Sequence, residues 1–399
     1  EVKQNKKTLT AKDILSNPKY LAISYGGYRE NTRDIQPTVP QLKEDLKIMS
    51  ALGFRILRTY NVRMAHASNV LKAIKELKSE DPNFEMYVML GAWIDCKYAW
   101  TDLPLNHNEG SPENEKEIER AVNLANQYPD IVKIIAVGNE AMVKWAAAYF
   151  VEPHIILRWV NHLQELKQKG KLDKDLWITS SDNFASWGGG EQQYHTQELN
   201  ELIKAVDYLS IHTYPMHDTH YNPVFWGVMP SEKNLPNSKK LDKIMTRSLS
   251  YAISQYDSVV NYMKSLKVDK PVHIGETGWA SVSGGQYGLN GSKATDELKQ
   301  GLYYTKMRDW ATENKIKCFY FEAFDEPWKD AMHPEGSENF FGLITVDGKA
   351  KYTLWDEVDE GVFEGLKRDG NPITKTYNGN YEDLLLDVSI PDIKNEITP

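Results

Sequence analysis

Ile131-Val132-Lys133-Ile134-Ile135-Ala136-Val137-Gly138-Asn139-Glu140 is a short run, apolar apart from Lys133, that ends on an asparagine and a glutamate. Apolar residues at consecutive positions give a strand two buried faces, and parallel sheets covered by helices need such strands. The run has no turn residue until Gly138, so Ile131–Gly138 reads as one strand with its polar end exposed to function.

Seven further runs share this character: Tyr20–Tyr28, Phe54–Asn61, Met86–Ile94, Leu176–Ser181, Tyr208–Tyr214, Pro271–Gly275 and Lys317–Ala323. A helical pattern follows each. Leu42, Leu46 and Met49 fall on one helix face, as do Val70, Ile74 and Leu77, and Ile156, Val160 and Leu163. Ser111-Pro112 opens a helix, while Gly53 and Gly170 stand where helices stop. Strand starts recur roughly every 30–60 residues, which suits strand–helix units with loops of varied length. Eight such units in strict alternation predict a (β/α)8 TIM barrel, within the α/β class. An open doubly wound sheet is the competing arrangement. It calls for a glycine fingerprint after the first strand, and Tyr25-Gly26-Gly27-Tyr28 lacks that spacing.

Residues 20–369 are expected to form one catalytic domain, with an N-terminal extension at 1–19 and a C-terminal one at 370–399 that wraps the barrel or leads to a tail. Three strand-to-helix loops look long, namely Asp95–Gly110, Pro215–Thr246 and Asp325–Thr353. The 399 residues are 41% hydrophobic, enough for a large core. Forty-seven basic against 56 acidic residues leave a net charge of −9 and no basic cluster, which argues against nucleic acid as a partner. No apolar run reaches the ~18–20 residues that span a bilayer. Cys96 and Cys318 fall at opposite ends of a barrel and are expected to be free thiols.

In such a barrel chemistry gathers where strands end. The fourth run ends in Val137-Gly138-Asn139-Glu140 and the seventh in Ile274-Gly275-Glu276-Thr277-Gly278-Trp279. Strands four and seven face each other across the mouth, so Glu140 and Glu276 can meet although they are 136 residues apart. Either alone reads equally well as a strand-end ion pair. Two carboxyl groups across a groove are the equipment of glycoside cleavage, one protonated as acid and one ionised as nucleophile or base. His212, His217, Asp218 and His220 are close in sequence, but their spacing matches no metal-ligand motif and reads as polar cleft lining. No metal and no cofactor is expected. Trp187-Gly188-Gly189-Gly190 lacks the lysine of a phosphate loop and reads as a flexible loop with one exposed aromatic.

These strand-end motifs, with Phe319-Tyr320-Phe321-Glu322-Ala323-Phe324-Asp325-Glu326-Pro327-Trp328-Lys329, resemble glycoside hydrolase family 17, the β-1,3-glucanases. The resemblance covers about residues 20–365, and the strand-eight motif is closer to bacterial and fungal members than to plant ones. It implies Glu140 as acid/base and Glu276 as nucleophile of a retaining endo-1,3-β-glucanase acting on laminarin-type glucan. It implies that Asn139 bonds the sugar 2-hydroxyl, that Tyr214 orients the nucleophile and that Tyr60 lines a subsite. Trp279, Phe324 and Trp328 become candidates for stacking on sugars. Glu322, Asp325 and Glu326 become candidates for bonding sugar hydroxyls or holding the acid/base. Two other readings stay open, a transglycosylase with the same glutamates and a non-catalytic glucan-binding barrel. Cleavage of β-1,4 linkages is a third. β-1,3-Glucan and its oligosaccharides are the expected partners, the chain is expected to act as a monomer, and a polymeric substrate implies secretion, a periplasmic site or surface attachment.

Overall fold

The computed structural model describes residues 8–394. Its centre is a closed parallel barrel of eight strands, β1 Leu21–Ser24, β2 Phe54–Arg58, β3 Tyr87–Ala92, β4 Val132–Asn139, β5 Trp177–Asn183, β6 Leu209–His212, β7 Val272–Thr277 and β8 Cys318–Tyr320, each paired with its sequence neighbours and β8 with β1. The TIM barrel anticipated from the alternating runs is therefore present. Several strands are shorter than their apolar runs, although Tyr25 N, Thr213 N and Phe321 N beyond their ends still donate to the neighbouring strand. Helices Val39–Ala51, Ala65–Glu80, Glu113–Gln127, Pro153–Gln168, Gln197–Ala205, Asn237–Ser265 and Glu297–Glu313 follow β1 to β7, while β8 is followed by the short helices Trp355–Asp359 and Tyr381–Leu386. Asn237–Ser265 starts nine residues before the expected end of the Pro215–Thr246 loop. A further long loop, residues 278–296, separates β7 from its helix.

Side chains alternate across each strand, so one set faces the barrel axis and the other the helices. Two apolar clusters follow that alternation. Ala22, Ile56, Tyr87, Met89, Ile134, Ala136, Tyr208 and Phe319 pack inside the lower barrel. Ile23, Leu57, Val88, Leu90, Ile135 and Val137 pack outward with the helices. Two residues up β1, β2 and β6 the same inward face carries Ser24, Arg58 and Ser210, with His212 two further on, so the interior turns polar at the mouth.

The described residues before Tyr20 contribute to this core. Helix Ala11–Ser16, capped by Thr10, sends Ala11, Ile14 and Leu15 into the lower interior cluster and closes the floor. At the other end of the chain, Thr374–Lys375 pairs with Lys349–Ala350, and Leu384 of helix Tyr381–Leu386 is buried with Leu241, Leu298 and Trp355. Ile393 bridges to Val228, and Lys293 Nζ lies 2.6 Å from Asp392. Cys96 and Cys318 are free.

Trp187 does not stand out in solvent as expected. It is fully buried, its Nε1 donates to Ser210 O at 3.0 Å, and Gly188 leaves no room for a side chain beside the Tyr262 ring. A glycine run next to an indole signals close packing here, not flexibility. Among the described residues no helix is long and apolar enough to cross a membrane.

The floor helix gives a test. Ile14 is fully buried, so Ile14→Ala is expected to lower stability by about 2–5 kcal/mol, read as a lower denaturant midpoint. The cleft at the opposite end should keep its ligand affinity.

Candidate active site

Glu140 and Glu276 meet at the mouth. Glu140 follows β4 with its N–H bonded to Ser181 O at 3.0 Å, and its backbone is left-handed at φ 46°. Glu276 sits on β7 and is 5% exposed. One oxygen of each carboxyl and a ring nitrogen of His212 all lie within 4.8 Å of one another.

The residue that binds this group together is Arg58, the last residue of β2, 1% exposed. Its NH1 donates to Glu276 Oε1 at 2.6 Å and to Gly275 O at 3.0 Å, and its NH2 donates to Asn139 Oδ1 at 2.6 Å. Tyr214 Oη donates to Glu276 Oε2 at 2.7 Å. Tyr60 Oη donates to Ser24 Oγ at 3.0 Å, and the Arg58 guanidinium lies 4.6 Å from the Tyr60 ring centre. His212 places Nδ1 3.0 Å from Glu140 Oε1 and Nε2 3.3 Å from Arg58 NH1 and 2.8 Å from Ser181 Oγ. Because Arg58 can only donate, Nε2 accepts, and Nδ1 carries the proton that faces Glu140.

These surroundings drive the two carboxyls apart. Burial, then the negative charge of Glu276, raises Glu140 to about 8. Burial also opposes ionisation of Glu276, but His212, Arg58 and the hydroxyls of Tyr214 and Tyr60 outweigh it and bring that carboxyl to about 2. Burial lowers His212 to about 4, so at neutral pH its ring is uncharged and Arg58 supplies the standing positive charge. A neutral acid beside a carboxylate is the division of labour that paired-carboxyl catalysis uses. The Glu140–His212–Glu276 trio also has metal-ligand spacing. A cation there would meet the guanidinium already salt-bridged to Glu276, so the donor set suits a proton-transfer site better than a metal.

A cleft of about 1460 Å³ surrounds the pair, beyond the size of an ordinary small-molecule pocket. Asn139, Tyr60, Tyr214, Glu326 and Trp328 line it with the two glutamates. Trp328 is half-buried under the Arg33 guanidinium, 4.1 Å from its ring centre. Glu326 Oε1 accepts from Tyr28 N at 3.1 Å, and a side chain at Gly26 would collide with that carboxyl. Glu322 is 1% exposed behind the cleft wall, with Lys329 Nζ 3.4 Å from both Glu322 and Glu326. Burial holds the Glu322 carboxyl well above the usual range despite Lys329.

Four expected contacts do not reach the cleft, Glu322 behind its wall and three more. Trp279 is fully buried, its Nε1 donating to Ala294 O at 2.8 Å and its ring against Tyr303. Phe324 is buried under the Arg368 guanidinium, 4.1 Å from its ring centre. Asp325 is buried and accepts from Lys351 Nζ at 2.7 Å and Gly342 N at 2.9 Å, which ties down the loop beyond β8. Each is held by partners behind the cleft wall, and none has a surface left for a sugar. His217 and Asp218 line the cleft, but His217 stacks on Tyr214 and Asp218 accepts from Tyr251, so the histidine run does not converge on one point. The sequence reading missed Arg58. Its signal was a second arginine, two residues beyond Ile56 on the same strand face, at the end of Phe54-Arg55-Ile56-Leu57-Arg58.

The barrel and its paired carboxyls define a glycoside hydrolase. The chain belongs to the BtgE/BtgC glycoside hydrolase domain family, whose profile matches residues 22–342, and the resemblance to family 17 stands. It is 68% identical to an endo-laminarinase from Formosa Hel1_33_131, with a TM-score of 0.97 over 98% of this chain and 100% of that one. It is 25% identical over 373 residues to a probable glucan endo-1,3-beta-glucosidase, btgC, of Aspergillus flavus, matching 87% of this chain but 45% of that protein. The chain thus spans less than half the length of that fungal relative. A β-1,3-glucanosyltransferase of Rhizomucor miehei shares the fold, at 22% identity and a TM-score of 0.57 over 84% of this chain and 96% of that one.

Arg58→Met is expected to remove one of the charges that, with His212, offset the burial of Glu276, so its carboxyl rises from about 2. The acid limb of the kcat/KM–pH profile should then move up by more than about one pH unit, 1.4 kcal/mol. An unmoved acid limb would show that Arg58 does not set the ionisation of Glu276.

Proposed function

We propose that this chain is a retaining endo-1,3-β-glucanase that hydrolyses laminarin-type β-1,3-glucan. The geometry that carries the reading is two carboxyls at the mouth whose oxygens lie within 4.8 Å, Glu276 paired with Arg58 and Glu140 facing His212. Retaining glycosidases hold their carboxyls about 5–5.5 Å apart, whereas inverting ones leave about 6.5–9.5 Å for water. The 68% identity to an endo-laminarinase supports the choice of linkage, and the cleft volume suits several sugar rings.

Glu276, ionised and aligned by Arg58 and Tyr214, attacks the anomeric carbon. Glu140 gives its proton to the departing glycosidic oxygen, and a glycosyl–Glu276 ester forms. Glu140 is then a carboxylate. It takes a proton from water, whose oxygen attacks the same carbon and releases Glu276. Two inversions retain the β configuration, and Glu140 ends protonated. Asn139, its Oδ1 held by Arg58, turns its amide toward the sugar bound over Glu276 and serves its 2-hydroxyl. Tyr60 and Trp328 line the sugar sites beside it, with Glu326 accepting from hydroxyls. One chain supplies the whole site, so a monomer suffices, and a polymeric substrate places the enzyme outside the cytoplasm.

Glu276→Gln is expected to lower kcat on laminarin at least about a thousandfold, measured as released reducing ends. Proton NMR of the first products should show the β anomer, and α anomer first would overturn retention. Products longer than a pure oligosaccharide substrate would make the enzyme a transferase.

The pH profile follows from the unequal ionisation of the two carboxyls. Glu140 must keep its proton, so kcat/KM should fall as pH rises through about 8. Glu276 must be ionised, so the acid limb should lie toward about 2. With an aryl β-glucoside whose leaving group needs no protonation, Glu140→Gln should remove the alkaline limb. Its survival would assign that limb to another group.

A further inference from the structure

The loop after β3 carries an arrangement that the chemistry at Glu140 and Glu276 does not use. Cys96–Lys97 pairs antiparallel with Asn106–Gly110, and between them Trp100 stands on the cleft wall, 62% exposed. An indole so exposed would be a poor use of apolar surface if it served only the fold.

Trp100 is nevertheless held firmly. Its Nε1 donates to Asp95 Oδ2 at 3.1 Å, and the other oxygen of the same buried carboxyl accepts from Trp93 Nε1. Its ring lies nearly parallel to Tyr149, 24° off at 5.7 Å, and Tyr149 in turn packs on Trp93 at 5.1 Å. The loop bearing Tyr149 is stitched to the hairpin by Cys96 N donating to Tyr149 O at 3.0 Å and Glu152 N to His107 O at 2.9 Å. Tyr98 and Trp100 themselves are left-handed, at φ 68° and 64°, which costs a bulky residue energy unless its surroundings hold it. An aromatic face that is exposed, rigid and aimed at a sugar-sized cleft matches the flat C–H face of a pyranose. A fixed ring also spends little ordering entropy on contact.

The geometry points to Trp100, fixed by Asp95 and Tyr149, as a distal glucosyl-binding platform that grips a ring of the β-1,3-glucan away from the bond being cut and so selects for chain length. This rests on the glucanase reading of the cleft.

Calorimetric titration of the Glu276→Gln protein with β-1,3-linked glucose oligosaccharides of two to seven units separates the possibilities. Adding Trp100→Ala should weaken the longest oligosaccharide about tenfold, the scale of one good aromatic contact, and leave the disaccharide within about twofold. Trp100→Phe should recover part of the loss, and Asp95→Ala should reproduce it with the indole still present. Equal weakening at every length, or none at the longest, overturns the platform. If the Glu276→Gln protein binds none of the oligosaccharides, the glucanase reading falls and the platform with it.

Discussion

The ion pair between Arg58 and Glu276 is the interaction on which the site depends. Both partners are almost fully buried, so their charges are unscreened by water and each would be costly alone. Paired, they give the protein a carboxylate that stays ionised well below neutral pH. That fixed negative charge then acts on Glu140, already raised by burial, and keeps its proton in place. With His212 and Tyr214 the guanidinium holds Glu276 ionised, and through Asn139 it also orients an amide beside the pair.

The barrel makes this pair possible. Period-two alternation sends Arg58 inward from β2 just as it sends Ile56 inward one layer below. Closure brings β2, β4, β6 and β7 round one axis, so Arg58, Asn139, His212 and Glu276 converge without any neighbouring in sequence. Helix Ala11–Ser16 fills the floor with apolar side chains and excludes water from beneath this charged layer.

Much of this was legible in the sequence because it depends on local pattern. Continuous apolar runs marked all eight strands, and polar ends marked Glu140 and Glu276. What lay outside that reach were the directions of single side chains past the strand ends. Trp279, Phe324 and Trp187 are aromatic residues in glycine-rich or strand-end contexts that equally suit a cleft or a packed seam. Which one applies depends on partners such as Tyr303, Arg368 and Ser210, each remote in sequence or on another element. His212 was visible as a polar group, but its place between the two carboxyls needed the closure of the ring. The short helix Ala11–Ser16 has too few residues to show a periodic face, so its role in the core could be seen only in three dimensions.

The left-handed backbone of Glu140 restricts what residue 140 could ever become. Asparagine and aspartate tolerate such a conformation best, yet they are one methylene too short to span the gap to His212. β-Branched side chains would clash with their own backbone there. Backbone preference and required reach thus favour different residues, and the overlap is almost confined to glutamate and its amide. The position holds its identity through conformation as well as through acidity, so drift at this strand end is closed off even where chemistry alone would permit it.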